Sequence, residues 1–165
     1  MPAQTRMPPG RVHHVAIVVK SLDDALSTYR DLLGLQLETI MDIESDHVRI
    51  AFLGVGESKV ELVQPTDDTT GVARFLANKG EGFHHVCFEV ANLTEELTRL
   101  GIDGVELIDT APRRGAEGPV AFLHSRSCHG VLVELIEAVK AYATVGEIAN
   151  ALRTAWGVHR ELITV

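Results

Sequence analysis

Two phrases with adjacent histidines, and two glutamates, carry the chemistry this sequence could do. Val12-His13-His14-Val15-Ala16-Ile17-Val18-Val19 is nearly copied by Phe83-His84-His85-Val86-Cys87-Phe88-Glu89-Val90. Val60-Glu61-Leu62-Val63 is likewise echoed by Val133-Glu134-Leu135-Ile136. His14 and His85 stand 71 positions apart, and Glu61 and Glu134 stand 73 apart. A single strand histidine is commonly a hydrogen-bonded or surface residue, and a glutamate inside Val-Glu-Leu commonly faces water. The duplication changes that balance. If the two copies face one another, each brings one imidazole and one carboxylate to a common point. Two imidazoles and two carboxylates offset most of the charge of a divalent cation, and N/O ligation suits Zn, Co, Ni, Mn or Fe(II). Without a cation, two inward carboxylates would repel each other and be costly to bury.

The elements that must position these groups are also duplicated. Strand alternation sets Val15, Ile17 and Val19 against His14, Ala16 and Val18, and sets Val86, Phe88 and Val90 against His85, Cys87 and Glu89. The bulkier apolar set suits a face covered by helices, which selects His14 over His13 and His85 over His84. Each strand runs into a helix start: Ser21 before Leu22-Asp23-Asp24, and Asn92 before Leu93-Thr94-Glu95, both with the capping-box pattern. Helices are expected over residues 22–33 and 93–100, ending at Gly34 and Gly101 in the left-handed conformation. Strands are expected over 35–43 and 47–53 in the first half, and over 105–108 and 120–123 in the second, around a loop at 112–119. The fold class is therefore α+β, with two β-α-β-β-β modules that share one core. The expected organisation is a flexible tail at 1–10, a first module at 11–65 and a helical link at 66–81. A second module at 82–138 and a C-terminal helical extension at 139–165 complete it. The link carries a short helix over 71–78, with Val72, Phe75 and Leu76 on one face. In the extension, Val145, Ile148, Leu152 and Trp156 recur at helical spacing.

Composition excludes several classes. The formal net charge is −8, with 15 Lys and Arg against 23 Asp and Glu and no basic cluster, so a nucleic-acid partner is disfavoured. The chain is 45% apolar with a mean hydropathy of +0.11, enough to bury a sizeable core. Its two cysteines, Cys87 and Cys128, make no disulfide framework, which points to a reducing compartment. The first ten residues have no apolar segment of signal-peptide type. No stretch approaches the ~18 continuous apolar residues of a membrane helix. A cytoplasmic protein without a membrane partner is expected.

These phrases resemble the vicinal oxygen chelate (glyoxalase/bleomycin resistance/dioxygenase) superfamily and, within it, the methylmalonyl-CoA epimerase family. The resemblance runs from about Arg11 to Ala138. Its most specific parts are Gly80-Glu81-Gly82-Phe83-His84-His85, Ala121-Phe122-Leu123-His124 and Gly130-Val131-Leu132-Val133-Glu134-Leu135. It implies an open, cup-shaped mixed sheet around one divalent ion per chain, held by His14, Glu61, His85 and Glu134, where Glu61 is often Gln in relatives. The ion is expected among Co, Zn, Mn, Ni and Mg, with Co favoured. The implied reaction interconverts (2R)- and (2S)-methylmalonyl-CoA by removing and returning the proton on carbon 2. Glu134 is the family-like catalytic base; Glu61 and a metal-bound water are the open alternatives for the second proton carrier.

Two arginines are expected to bind substrate. Arg49 stands where some relatives carry a carboxylate, and it could grip the substrate carboxylate if its face of the strand is the concave one. Arg126 stands in a segment where the family commonly reads His-Pro-Lys, and it could keep a positive charge for the acyl or CoA portion. Arg113 and Arg114 could meet CoA phosphates. The implied partner is a small acyl-CoA, and a homodimer is expected. The rival readings are a glyoxalase I type isomerase, which would use the same four ligands, and a non-catalytic binding module of the same fold.

Overall fold

The computed structural model describes residues 8–138. The helix expected within 139–165 lies outside the described residues, as does most of the N-terminal tail. In chain order the elements are β1 (Val12–Val18), α1 (Leu22–Leu26), β2 (Gln36–Ile43), β3 (Val48–Val55) and β4 (Ser58–Pro65). They continue with α2 (Gly71–Lys79), β5 (Gly82–Val90), α3 (Leu93–Ile102), β6 (Arg113–Arg114), β7 (Pro119–Leu123) and β8 (Leu132–Glu137). All eight strands join one mixed sheet in the order β2-β3-β4-β1-β5-β8-β7-β6. Strand β1 runs parallel to β4, and β5 runs parallel to β8. The two halves meet through the antiparallel pair β1–β5. Read outward from that pair, both halves follow the same order, so the sheet repeats the duplication seen in the sequence.

The helix starts are where the capping pattern predicts them. The Ser21 hydroxyl accepts from the Asp24 amide at 3.2 Å, and the Asn92 side chain accepts from the Glu95 amide at 3.1 Å. The first helix is not α-helical throughout. Residues Ser27–Leu32 form a π-helical turn, and the Ser27 hydroxyl donates to the Asp23 carbonyl at 3.1 Å. A serine that binds the carbonyl four residues back loosens the local ladder. Gly34 then ends the segment at φ +76° as expected. The second helix differs: it runs through Gly101 to Ile102, and the left-handed residue is Gly104 at φ +83°.

The strand expected over 105–108 is reduced to a single bridge between Leu107 and Leu123. Here the Asp109 carboxylate accepts the Phe122 amide at 2.9 Å and occupies a ladder position that a backbone carbonyl would otherwise fill. Arg113–Arg114, expected within a loop, pairs with β7 instead.

Two layers of packing fix the curvature of the cup. On the outer face, Leu22 and Leu26 of α1 pack on Ala51, Leu53 and Leu62. In the second half, Leu93 and Leu97 of α3 pack on Ala121, Leu123 and Leu135. On the inner face, Val48, Ile50 and Phe52 of β3 form a cluster with Ala16, Val18 and Val63, and Val72, Phe75 and Leu76 of α2 pack against it.

Leu93 is wholly buried directly after the Asn92 cap. Leu93→Ala is therefore expected to cost about 2–5 kcal/mol through a cavity in this core. Asn92→Ala should cost only about 1 kcal/mol through the lost cap. Denaturant unfolding of the two variants checks both values and their order.

Candidate metal centre

The central strand pair contains two β-bulges. On β1 the register shifts between Val12 and His14, which leaves His13 as the extra residue. On β5 the partners step from His85 to Phe83, which leaves His84 as the extra residue. A bulge breaks alternation and re-aims a side chain. The strict alternation read from the sequence turned only His14 and His85 inward, but all four histidines line the cup. His13, His14 and His85 are 8%, 3% and 5% exposed, and His84 is half-buried.

The same register places each His–Glu pair. Glu61 on β4 lies beside Ala16, two residues on from His14. Glu134 on β8 lies beside Cys87, two residues on from His85. Two residues along a strand return to the same face, so imidazole and carboxylate of each half share the concave side. Flanking aromatics repeat the arrangement. The ring of Phe52, beside Glu61, meets the His14 ring edge-to-face at 5.5 Å, and Phe122, beside Glu134, meets His85 at 5.2 Å.

The tetrad converges. His14 Nε2 and His85 Nε2 are 3.2 Å apart, and Glu134 Oε2 lies 3.0 Å from the first and 3.1 Å from the second. Glu61 Oε2 approaches the same nitrogens at 3.4 and 3.6 Å. Donors bound to one ion at ~2.1 Å lie roughly 3.0–3.4 Å apart for right-angled and tetrahedral arrangements. The spacing and the N₂O₂ chemistry of the set therefore fit a divalent cation. The tightest group is His14, His85 and Glu134, with Glu61 joined through both imidazoles.

The charges in this cluster are coupled. Burial opposes ionisation of Glu134, but hydrogen bonds from His14 and His85 outweigh it and hold the carboxyl well below the usual range. Burial pushes the Glu61 carboxyl up, against the partial opposition of the two histidines. Burial also works against protonating His14, yet its contacts with Glu134 and Glu61 raise its affinity for a proton. Cys87, wholly buried beside this group, is kept as a neutral thiol by burial and by the charge of Glu134.

Above the tetrad lies a cavity of about 400 Å³ with apolar walls that include Ile43, Val48, Ile50 and Ile136. Its polar wall contains Asp46, Asp109, Arg113 and Glu117. Arg113 is bound to Asp46 at 3.1 Å and to Asp109 at 3.3 Å, with its guanidinium 5.2 Å above the Phe122 ring.

The two arginines expected to bind substrate are elsewhere. The concave face of β3 is the Val48, Ile50 and Phe52 face, so Arg49 falls on the helix side. There it is largely solvated, 3.8 Å from Asp42. Arg126, in the turn after β7, is 72% exposed and bound to Glu106 at 2.6 Å. Neither lines the cavity. The residues that sequence reasoning passed over are His13, His84, Asp46 and Glu117. Only the doubled histidines carried a signal, and alternation hid it.

Comparison with known proteins agrees with this geometry. Residues 13–122 match the model of the Glyoxalase/Bleomycin resistance protein/Dioxygenase superfamily. The mouse mitochondrial methylmalonyl-CoA epimerase is 39% identical, over 78% of this chain and 74% of its own. An ethylmalonyl-CoA/methylmalonyl-CoA epimerase of Cereibacter sphaeroides is 38% identical, over 76% of this chain and 96% of its own. Among solved structures, a Streptomyces coelicolor methylmalonyl-CoA epimerase variant in complex with 2-nitronate-propionyl-CoA superposes with a TM-score of 0.77 at 32% identity. That match covers 81% of this chain and 97% of the other. The duplicated half-sheets, the four buried donors and these likenesses agree: the chain belongs to the Glyoxalase/Bleomycin resistance protein/Dioxygenase superfamily and, within it, to the methylmalonyl-CoA epimerase family.

Proposed function

We propose that this protein interconverts (2R)- and (2S)-methylmalonyl-CoA, with one divalent cation held by His14, Glu61, His85 and Glu134. The observation that carries the reading is the convergence of four buried donors at the floor of a cavity, in a chain that aligns with named epimerases over three-quarters of its length. A cation bound there supplies the positive charge that stabilises the enolate oxygen as carbon 2 loses its proton. Co is favoured among Co, Zn, Mn, Ni and Mg. The chain's own groups do the rest. Glu134 is the base proposed for one face of carbon 2. The hydrogen bonds that hold its carboxyl low need protons on the facing imidazole nitrogens. As a ligand of that cation Glu134 would be a weak base, so its carboxylate must loosen from the ion before it takes the carbon-2 proton. The apolar walls exclude water from the carbanionic centre. Since Arg49 and Arg126 lie off the cavity, contact with the substrate carboxylate is proposed for Arg113, the arginine on its wall.

Cytoplasmic location and a homodimer belong to the same reading. Cys87 and Cys128 are both free thiols, which suits a reducing compartment. Among the described residues no helix is long and apolar enough to cross a membrane. Large apolar side chains stand in water at the C-terminal end of each module's helix, with Leu32 82%, Leu33 62% and Ile102 80% exposed. Surfaces of that kind support association.

Three measurements test the proposal. In deuterated water, the protein should exchange the carbon-2 proton of 2R-methylmalonyl-CoA, and Glu134→Gln should slow this by about 10²-fold or more; no exchange by the unaltered chain would sink the epimerase reading. Protein purified without chelator should carry about one divalent ion per chain, and His85→Ala should lose both ion and turnover while circular dichroism shows the sheet retained. Arg113→Met should raise KM for methylmalonyl-CoA, with little effect on proton exchange into propionyl-CoA, which lacks the carboxylate. Equal effects on both would assign Arg113 to the architecture of the wall.

A further inference from the structure

The duplication of the site is broken at one place, behind the histidines. In both halves the ligand imidazole is backed by its sequence neighbour. His13 Nδ1 lies 2.9 Å from His14 Nδ1, and His84 Nδ1 lies 2.8 Å from His85 Nδ1. Behind His84 stands the ring of Phe75, edge-to-face at 5.0 Å. Behind His13 stands a carboxylate: Glu117 Oε2 is 3.6 Å from His13 Nε2. Among the described residues, that oxygen is the one buried side-chain acceptor without a hydrogen bond. The carboxylate is anchored through its other oxygen by Lys59 at 2.6 Å, and Lys59 is held in turn by Glu38 at 2.9 Å. Glu117 reaches this position from the tight turn between β6 and β7, closed by the Gly115 amide on the Gly118 carbonyl at 2.9 Å. The turn crosses from the far edge of the sheet to the first half.

We infer that Glu117 and His13 form, with His14, a carboxylate–imidazole–imidazole chain that fixes which nitrogen of His14 faces the metal centre. This rests on the reading of the tetrad as a cation site. The proton count along the chain has one solution. For His14 Nε2 to offer a lone pair to a cation, its Nδ1 must carry the proton. Two nitrogens 2.9 Å apart share one proton, so His13 Nδ1 must accept it. Neutral His13 then carries its own proton on Nε2, the nitrogen that faces Glu117. At 3.6 Å the carboxylate acts through its charge: it favours the proton on the facing nitrogen, which holds the tautomer and makes His14 a stronger donor. His85 has the same first link and no carboxylate behind it. The two imidazoles of the site are therefore unequal. Both Glu117 and His13 are positioning residues, acting through His14.

The test uses the full chain with and without Co²⁺. In metal-free protein, where His14 Nε2 also donates to Glu134, side-chain ¹⁵N shifts should show His14 protonated on both nitrogens and His13 on Nε2 alone; a proton on His13 Nδ1 would overturn the chain. By chelator competition, Glu117→Gln and His13→Leu should each weaken Co²⁺ binding about tenfold. His13→Asn keeps an acceptor oxygen for His14 Nδ1–H and should retain most of the affinity. Adding Glu117→Gln to His13→Asn should then cost nothing more. If Glu117→Gln weakens binding equally in both backgrounds, Glu117 acts by bulk charge and the chain is wrong. Unaltered protein that binds no ion would refute the tetrad reading, while the ¹⁵N tautomers would still decide the chain.

Discussion

The antiparallel pairing of β1 with β5 is the contact on which the site depends. It sets His14 beside Cys87 and Ala16 beside His85, so the two halves of the tetrad face each other across one ladder. The parallel pairs on either side, β1–β4 and β5–β8, then add a glutamate at the same offset in each half. A slip of one residue in any of these three ladders would turn a tetrad residue to the opposite face. Register here is held by burial on both faces. Leucines packed under α1 and α3 secure the outer side, and the Val48, Ile50 and Phe52 cluster secures the inner.

The electrostatics explain why such a cluster exists. Five of the described residues are buried polar or charged groups: His13, His14, Glu61, His85 and Glu134. All lie in this one site. Burying unpaired carboxylates costs several kcal/mol each after relaxation, and only partners or a cation offset it. The burden is shared unequally, since Glu134 draws hydrogen bonds from both imidazoles while burial pushes the Glu61 carboxyl up. A divalent cation would balance both carboxylates at once. Buried ionisable groups gathered in this way are characteristic of functional sites.

Much of the architecture is legible in the amino-acid sequence alone. The repeat of strand, capped helix and closing strand announced two like half-sheets, because Ser21 and Asn92 mark helix starts by local hydrogen bonding alone. The four residues that converge, His14, Glu61, His85 and Glu134, were legible because the two halves repeat the same His and Val-Glu-Leu phrases. The misreadings have physical causes too. Serine at position 27 bends the first helix into a π-helical turn, and the Asp109 carboxylate displaces a strand that its sequence favoured. Arg49 reaches the cup only if the polar face of β3 is the concave one. The apolar residues face it, because this cavity has hydrocarbon walls.

By itself, then, the sequence determined the fold class, the duplication, the family and the four donors, since each rests on local periodicity, capping or short phrases. Only the tertiary structure decided that all four histidines turn inward, because a bulge arises from the fit of two strands that meet far apart in the chain. Only it brought Glu117 to His13 and Arg113 to the cavity wall, across more than a hundred residues in the first case. Alternation is a property of one strand, whereas bulges and loop crossings belong to pairs of elements, and no single segment contains the information that sets them.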